Sequence, residues 1–416
     1  MGRPPQAIPA PPAPVIDCAD PVVEWLLTEA PARPSTGAML GEFCARLVAA
    51  GLPIARMAVG TRTLHPQLFA IGFLWRRGDS VAEETQRGHD ISGSSLYLDS
   101  PLKAIHDGAP EIRRRIEGAD AVLDYPILRD LKQDRMTDYL LLPLRSSGGK
   151  RPNTFSVATD RPGGFTERDL AAIRRLMPVL SLVLDIKETR RMAGMLLEVY
   201  LGRNAGRRVL EGRVKRGDVE SIAAALWYCD LRSFTTISEG MSPHDVVLLL
   251  NDYFDCMSGP VHRNGGEVLK FIGDGILAIF PVKDDLDRDR ACTTALKAAQ
   301  ESLADLGLLN ERRRAETKPP LEVGIALHIG SVMYGNVGAA DRLDFTVTGP
   351  AVNLVSRIES LCRDLGYSLL TSERFASPCG STLRSIGLHR LRGVAAPLEI
   401  FTLPELIDRQ PAAVNA

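Results

Sequence analysis

The chain reads as two α+β domains joined by a helical connector. Three observations predict this. Short strand-like runs are interleaved with helical patterns between residues 21 and 188. An apolar stripe at helical spacing then leads into a strongly basic stretch. After residue 219 the order is strand, helix, strand, strand, helix, strand, which is the ferredoxin-like βαββαβ order.

A length of 416 residues suits two or three domains with substantial cores. Hydrophobic residues make up 45% and charged residues 24%, both ordinary for globular chains. The formal net charge of −1 supplies no global field for nucleic acid or an anionic membrane, so neither is an expected partner. No apolar run reaches the roughly 18–20 residues of a membrane helix. The seven cysteines show no C-x-x-C spacing, and no secretory stretch opens the chain. Reduced thiols and a cytoplasmic location are therefore expected. The Pro- and Ala-rich residues 1–20 are expected to be a disordered tail, and 407–416 a C-terminal tail.

In the first domain, 21–188, strand-like runs occur at Ala55–Val59, Leu68–Trp75, Tyr139–Pro143 and Thr154–Ala158. Its closing helix begins at a Thr166 N-cap with acids in the first turn. Leu170, Ile173, Leu176, Met177, Leu180, Val183 and Leu184 then recur with helical period. The connector, 189–218, continues the stripe through Met192, Leu196 and Val199. It then turns basic at Arg203, Arg207, Arg208, Arg213, Lys215 and Arg216. Such a run is either a solvated linker or a dimer-contacting helix and turn that relays a signal.

In the last domain, 219–406, strands are expected at Ala223–Cys229, Glu267–Ile272, Ile276–Pro281, Glu322–His328 and Ser368–Thr371. Helices are expected at Val246–Met257, Ala291–Leu303 and Val352–Leu361. Gly273-Asp274-Gly275 is a hairpin turn with its usual residues. Asp230 ends one strand and Asp274 sits in that turn, so adjacent pairing would bring two carboxylates together as a seat for Mg²⁺. Singly, Asp230 could cap a helix and Asp274 could merely fill the turn.

Four blocks in order carry a family resemblance. They are Cys229-Asp230-Leu231-Arg232-Ser233-Phe234-Thr235, the stretch Gly265 to Gly275, the glycine-rich Gly324 to Gly338, and Asp344 to Gly349 with Val352 to Glu359. Together they resemble the class III adenylate/guanylate cyclases. The resemblance implies that ATP becomes cyclic AMP, with two Mg²⁺ or Mn²⁺ ions per site on Asp230, Asp274 and the Leu231 carbonyl. It implies that Lys270 and Thr346 read the purine, Asn353 orients the ribose and Arg357 neutralises charge on the transferring phosphate. Arg392, or its neighbour Arg390, would contact the outer phosphates, although the family more often has Lys there. Thr346 stands where many members have Asp, which places the chain near the bicarbonate-responsive subgroup.

A Lys ammonium only donates hydrogen bonds. It therefore suits adenine N1, a bare acceptor, and not guanine N1, which carries hydrogen. The Thr346 hydroxyl could accept from adenine or donate to guanine. Asn353 and Arg357 are spaced i, i+4 on one helix face. The family takes the aspartates from one protomer and the remaining residues from the other, which implies a C2 homodimer with two sites. A guanylate cyclase and a catalytically silent nucleotide-binding module are the competing readings. His328, in a strand motif, is expected to be structural.

The first domain, with its closing helix, resembles GAF domains, implying a regulatory sensor with an unidentified small-molecule ligand. Cys18, Cys44, His65, His89 and His106 could touch a pigment or haem, or be ordinary residues. No organic cofactor is assigned.

Overall fold

The computed structural model describes residues 21–63, 68–144, 152–284 and 287–408. The expected tail 1–20 with Cys18, His65, and residues 409–416 lie outside them. The chain divides into two compact α+β units between Leu196 and Leu197.

The first unit is built on a six-stranded antiparallel sheet. Its strands are β1 (Arg56–Arg62), β2 (Leu68–Arg76), β3 (Glu83–Gly88), β4 (Ile112–Arg115), β5 (Asp138–Leu144) and β6 (Asn153–Thr159), in the order β3-β2-β1-β6-β5-β4. Period-two alternation sends Met57, Val59, Ile71, Phe73, Trp75, Phe155 and Val157 to one face. There they pack with helices α1 (Pro21–Thr28), α2 (Thr36–Ala49) and α3 (Glu167–Leu201). A smaller cluster, Ile105, Ile112, Leu128, Tyr139 and Leu141, covers the other face. Both faces of β5 are therefore buried, which is why its sequence is nearly all apolar.

Helix α3 begins as expected. Thr166 Oγ1 accepts from the Asp169 amide at 3.2 Å, and Asp169 Oδ2 accepts from the Thr166 amide at 2.8 Å. It continues through the first part of the expected helical connector. The expected boundary at 188 falls inside the helix, which runs on to Leu201 and ends at Gly202, φ +88°. Helix α4 (Arg203–Leu210) follows.

The second unit contains an eight-stranded sheet. Its members are β7 (Val219–Leu231), β8 (Glu267–Ile272), β9 (Gly275–Val282), β10 (Val323–Gly338), β11 (Leu343–Thr348), β12 (Leu369–Ser372), β13 (Arg384–His389) and β14 (Leu398–Thr402). The order is β13-β14-β12-β10-β7-β9-β8, with β11 paired to the far half of β10. Helices α5 (Pro243–Arg263) and α6 (Asp287–Ala315) cover the face bearing Trp227, Cys229 and Ile325. Helix α7 (Pro350–Leu365) covers the face bearing Leu226, Ala326 and Tyr334.

Strands β11, β13 and β14 were not anticipated: β13 is largely exposed, and β11 and β14 are short runs that mix polar with apolar residues. Helix α6 outruns the expected 291–303 because its second half buries polar residues. The Asn310 side chain bonds both main-chain groups of Leu321, and Arg313 Nε donates to Pro319 O. Polar residues inside a buried stripe hide its period. The six described cysteines are unpaired and buried. Among the described residues, no helix is long and apolar enough to cross a membrane.

Candidate active site

Strand β7 lies beside β9, with Cys229 opposite Ile276, so Asp230 reaches the β8–β9 turn. Ile272 pairs with Gly275 around the two-residue turn Gly273-Asp274, where Gly273 has φ +65°. Close approach is possible because Gly275 has no side chain. A Cβ there would lie 3.1 Å from Cys229 O and 3.3 Å from Asp230 Oδ1. Asp230 and Asp274 thereby come close enough for each carboxyl to act on the other. Burial, then the neighbouring Asp274 carboxyl and then Glu359 push the Asp230 carboxyl up to about 7. Two like charges so placed favour holding a proton, or a cation in its stead. The donors are carboxylate oxygens, the hard set that Mg²⁺ or Mn²⁺ prefers, so this chain's residues fit the ions that the sequence implies. Leu231 adds its main chain beside Asp230 while its side chain is buried in the core.

Glu359 was missed in the sequence. It projects from α7 under this pair, and its Oε1 would stand 2.8 Å from a Cβ at Gly324, the residue opposite Asp230. Burial pushes it up to about 7, with Arg363 and Arg232 opposing and Asp274 adding to the rise. The signal was present: Val355, Ile358 and Cys362 mark the inward stripe of α7, and Glu359 falls on it.

Lys270 lies on β8 just past a bulge, with its ammonium 3.2 Å from Asp344 Oδ2 on β11. Thr346 lies two residues along β11, on the same side as Asp344, opposite Gly335. Its Oγ1 is buried and has no hydrogen-bond partner among the described residues. The structure thus puts the two purine-reading candidates on strands that Lys270 ties together. Asp344 was the second residue missed; its spacing of two from Thr346 was the available signal.

Asn353 is exposed on α7, and Arg357, one turn on, donates from Nη1 to Gly393 O at 3.2 Å. Arg390 and Arg392 are exposed beside that turn. Among the described residues, no hydrogen bond or ion pair joins Asn353 or Arg357 to the aspartate pair. His328 is buried, with Nδ1 bonded to Ser372 Oγ at 2.7 Å, and burial lowers it to about 4, as suits a structural residue. In the first unit, Cys44 is fully buried in the core, His106 Nδ1 bonds the Tyr97 hydroxyl at 2.9 Å, and His89 packs edge-on to Phe69.

Residues 219–369 match the family described as adenylate and guanylate cyclase catalytic domain. Adenylate cyclase 1 of Rhizobium meliloti is 35% identical over 178 residues, 42% of this chain and 26% of that protein. The adenylate cyclase of Anabaena cylindrica is 37% identical over 164 residues, 38% of this chain and 31% of that protein. The solved adenylyl cyclase CyaB from P. aeruginosa is 26% identical with a TM-score of 0.41, covering 45% of this chain and 95% of that one. The chain thus spans about a quarter to a third of the length of these two curated relatives. The likeness to the adenylate and guanylate cyclase catalytic domain thus covers residues 219–369, the segment that carries Asp230, Lys270, Asp274, Thr346, Asn353 and Arg357.

Proposed function

We propose that the chain is an adenylate cyclase, converting ATP to 3′,5′-cyclic AMP and pyrophosphate at sites shared between two copies. The observation that carries this reading is the pairing of an Asp230–Asp274 seat with a separate purine-reading pair, Lys270 and Thr346. Mg²⁺ or Mn²⁺, two per site on Asp230, Asp274 and the Leu231 carbonyl, would supply charge neutralisation and activation of the 3′-hydroxyl.

Lys270 donates to adenine N1, and the free Thr346 Oγ1 accepts from the 6-amino group. Asn353 orients the ribose. Arg357 offers a rigid donor fork to the transferring phosphate, with Arg392 on the outer phosphates. Lys270 lies within β8 and turns its ammonium to Asp344 on β11, whereas Asp274 lies in the turn beyond the end of β8. That separation supports metal and purine groups that serve different sites in a twofold dimer.

The order β10-β7-β9-β8 is antiparallel throughout and agrees with a ferredoxin-like core. The first unit we read as a GAF-like sensor, 21–188, acting through the connector 189–218 on the catalytic domain 219–406 of a cytoplasmic protein. Its ligand is an unidentified small molecule.

Guanylate cyclase activity is the second reading. It is disfavoured because Lys270 presents a donor to guanine N1, itself a donor. The deciding experiment measures kcat/KM for ATP and GTP on the full chain with Mg²⁺ and Mn²⁺. A clear ATP preference is expected; equal values or a GTP preference would overturn the substrate assignment. Nucleotide binding without turnover would indicate a silent module.

A further inference from the structure

Glu267 opens β8, three residues before Lys270 and seven before Asp274. It is only 5% exposed. Its Oε2 accepts from Asn204 Nδ2 at 2.9 Å and from the Tyr334 hydroxyl at 3.0 Å. Its Oε1 is buried and makes no hydrogen bond among the described residues. Such an atom carries a desolvation cost that an apolar residue would avoid. The carboxylate therefore calls for an explanation beyond filling space.

Its partners supply one. Asn204 lies in the first turn of α4, and Arg207 Nη2 donates to Asn204 Oδ1 at 3.1 Å, which turns the amide nitrogen toward Glu267. Helix α4 has a defined seat. Gly206 touches the end of α3 so closely that a Cβ would lie 2.8 Å from the Leu197 main chain. Gly202, the left-handed joint between the helices, lies over β8. A Cβ there would be 3.4 Å from Val268 O and 3.6 Å from Glu267 Oε1. On the other side, the Tyr334 ring meets Phe345 edge-on at 4.8 Å, and Phe345 is the residue between Asp344 and Thr346. One carboxylate thus touches the incoming helix, the strand of Lys270 and Asp274, and the packing beneath Thr346.

We propose that Glu267 is a positioning residue, through which the seat of α4 sets the placement of β8 and β11 and hence of both purine-reading side chains. This rests on the adenylate cyclase reading above. The bulge between Val268 and Lys270 gives the strand room to shift when α4 moves.

The test uses the full chain with Asn204→Ala, Glu267→Leu and Glu267→Gln. Amide hydrogen exchange is followed in segments 203–210, 267–272 and 343–348, with kcat and KM for ATP measured alongside. Asn204→Ala and Glu267→Leu are expected to speed exchange in 267–272 and 343–348. They should also lower kcat about tenfold, since a misplacement of one ångström costs up to about a hundredfold. Glu267→Gln keeps an acceptor for Asn204 and should retain most of the rate. Should Glu267→Leu fail to fold, Asn204→Ala carries the test alone. Faster exchange confined to 203–210, or wild-type exchange and kcat in Asn204→Ala, overturns the proposal. If wild type turned over neither nucleotide, the cyclase reading would fall, and the exchange arm would still decide whether Glu267 couples these segments.

Discussion

The Lys270 ammonium lies 3.2 Å from Asp344 Oδ2, tying strand β8 to β11, the strands of the two side chains proposed to read the purine. A flexible four-carbon stem needs such a partner to aim its charge. The side chains are 33% and 58% exposed, so the pair adds little to stability. Asp344→Ala should therefore leave the melting temperature nearly unchanged while lowering kcat/KM for ATP several-fold, by analogy with exposed pairs worth about 0.2–1 kcal/mol. Steady-state kinetics beside a thermal melt checks this. A loss of stability with unchanged kinetics would assign Asp344 to structure.

The Asp230–Asp274 contact has a pH signature. With the folded Asp230 carboxyl raised to about 7, its contribution to stability is full below the ordinary carboxylate pKa. It is lost as pH rises through about 7, because the unfolded chain releases the proton first. In EDTA, wild type should lose stability between about pH 4 and 7 from this group, and Asp230→Asn should flatten that slope. Added Mg²⁺ should restore wild-type stability at pH 7.5 and not that of the variant. Melting temperatures across pH, with and without Mg²⁺, decide the matter. Parallel slopes in the two proteins would contradict the pairing.

Turnover should follow the same residues. Asp274→Ala and Arg357→Ala should each be nearly inactive as homodimers. Co-expressed, about half of the dimers are mixed, each with one intact site, so activity should return to roughly a quarter of wild type. The measurement is cyclic AMP formation by the co-expressed mixture and by mixed dimers isolated on two tags, which should reach roughly half of wild type. Activity no higher than either parent's would refute a shared site.

Gly335, paired with Thr346 across β10 and β11, supplies a stability test. It has φ +152° on β10, where a Cβ would lie 2.2 Å from Asp218 O. Gly335→Ala must shift the main chain at the start of β7, so a loss of about 1–3 kcal/mol is expected. Denaturant unfolding measures it; a change within about 0.5 kcal/mol would mean that the strands yield freely.

The sequence by itself determined what depends on neighbours along the chain. The Gly273-Asp274 turn was legible because a tight hairpin needs residues of that kind. Strand β7 was legible as an unbroken apolar run ending in Asp230, and α3 by its period and its Thr166 cap. Asn353 and Arg357 fell on one helix face by spacing alone. Tertiary structure decided the rest. Glu359 approaches the aspartates, Asp344 takes the Lys270 ammonium, and Glu267 gathers Asn204 and Tyr334 from segments 63 and 67 residues away. Sequence periodicity reports which side of an element is buried. A lone charge inside that stripe keeps its place only because a distant chain segment folds against it, and that partner leaves no mark on the local pattern.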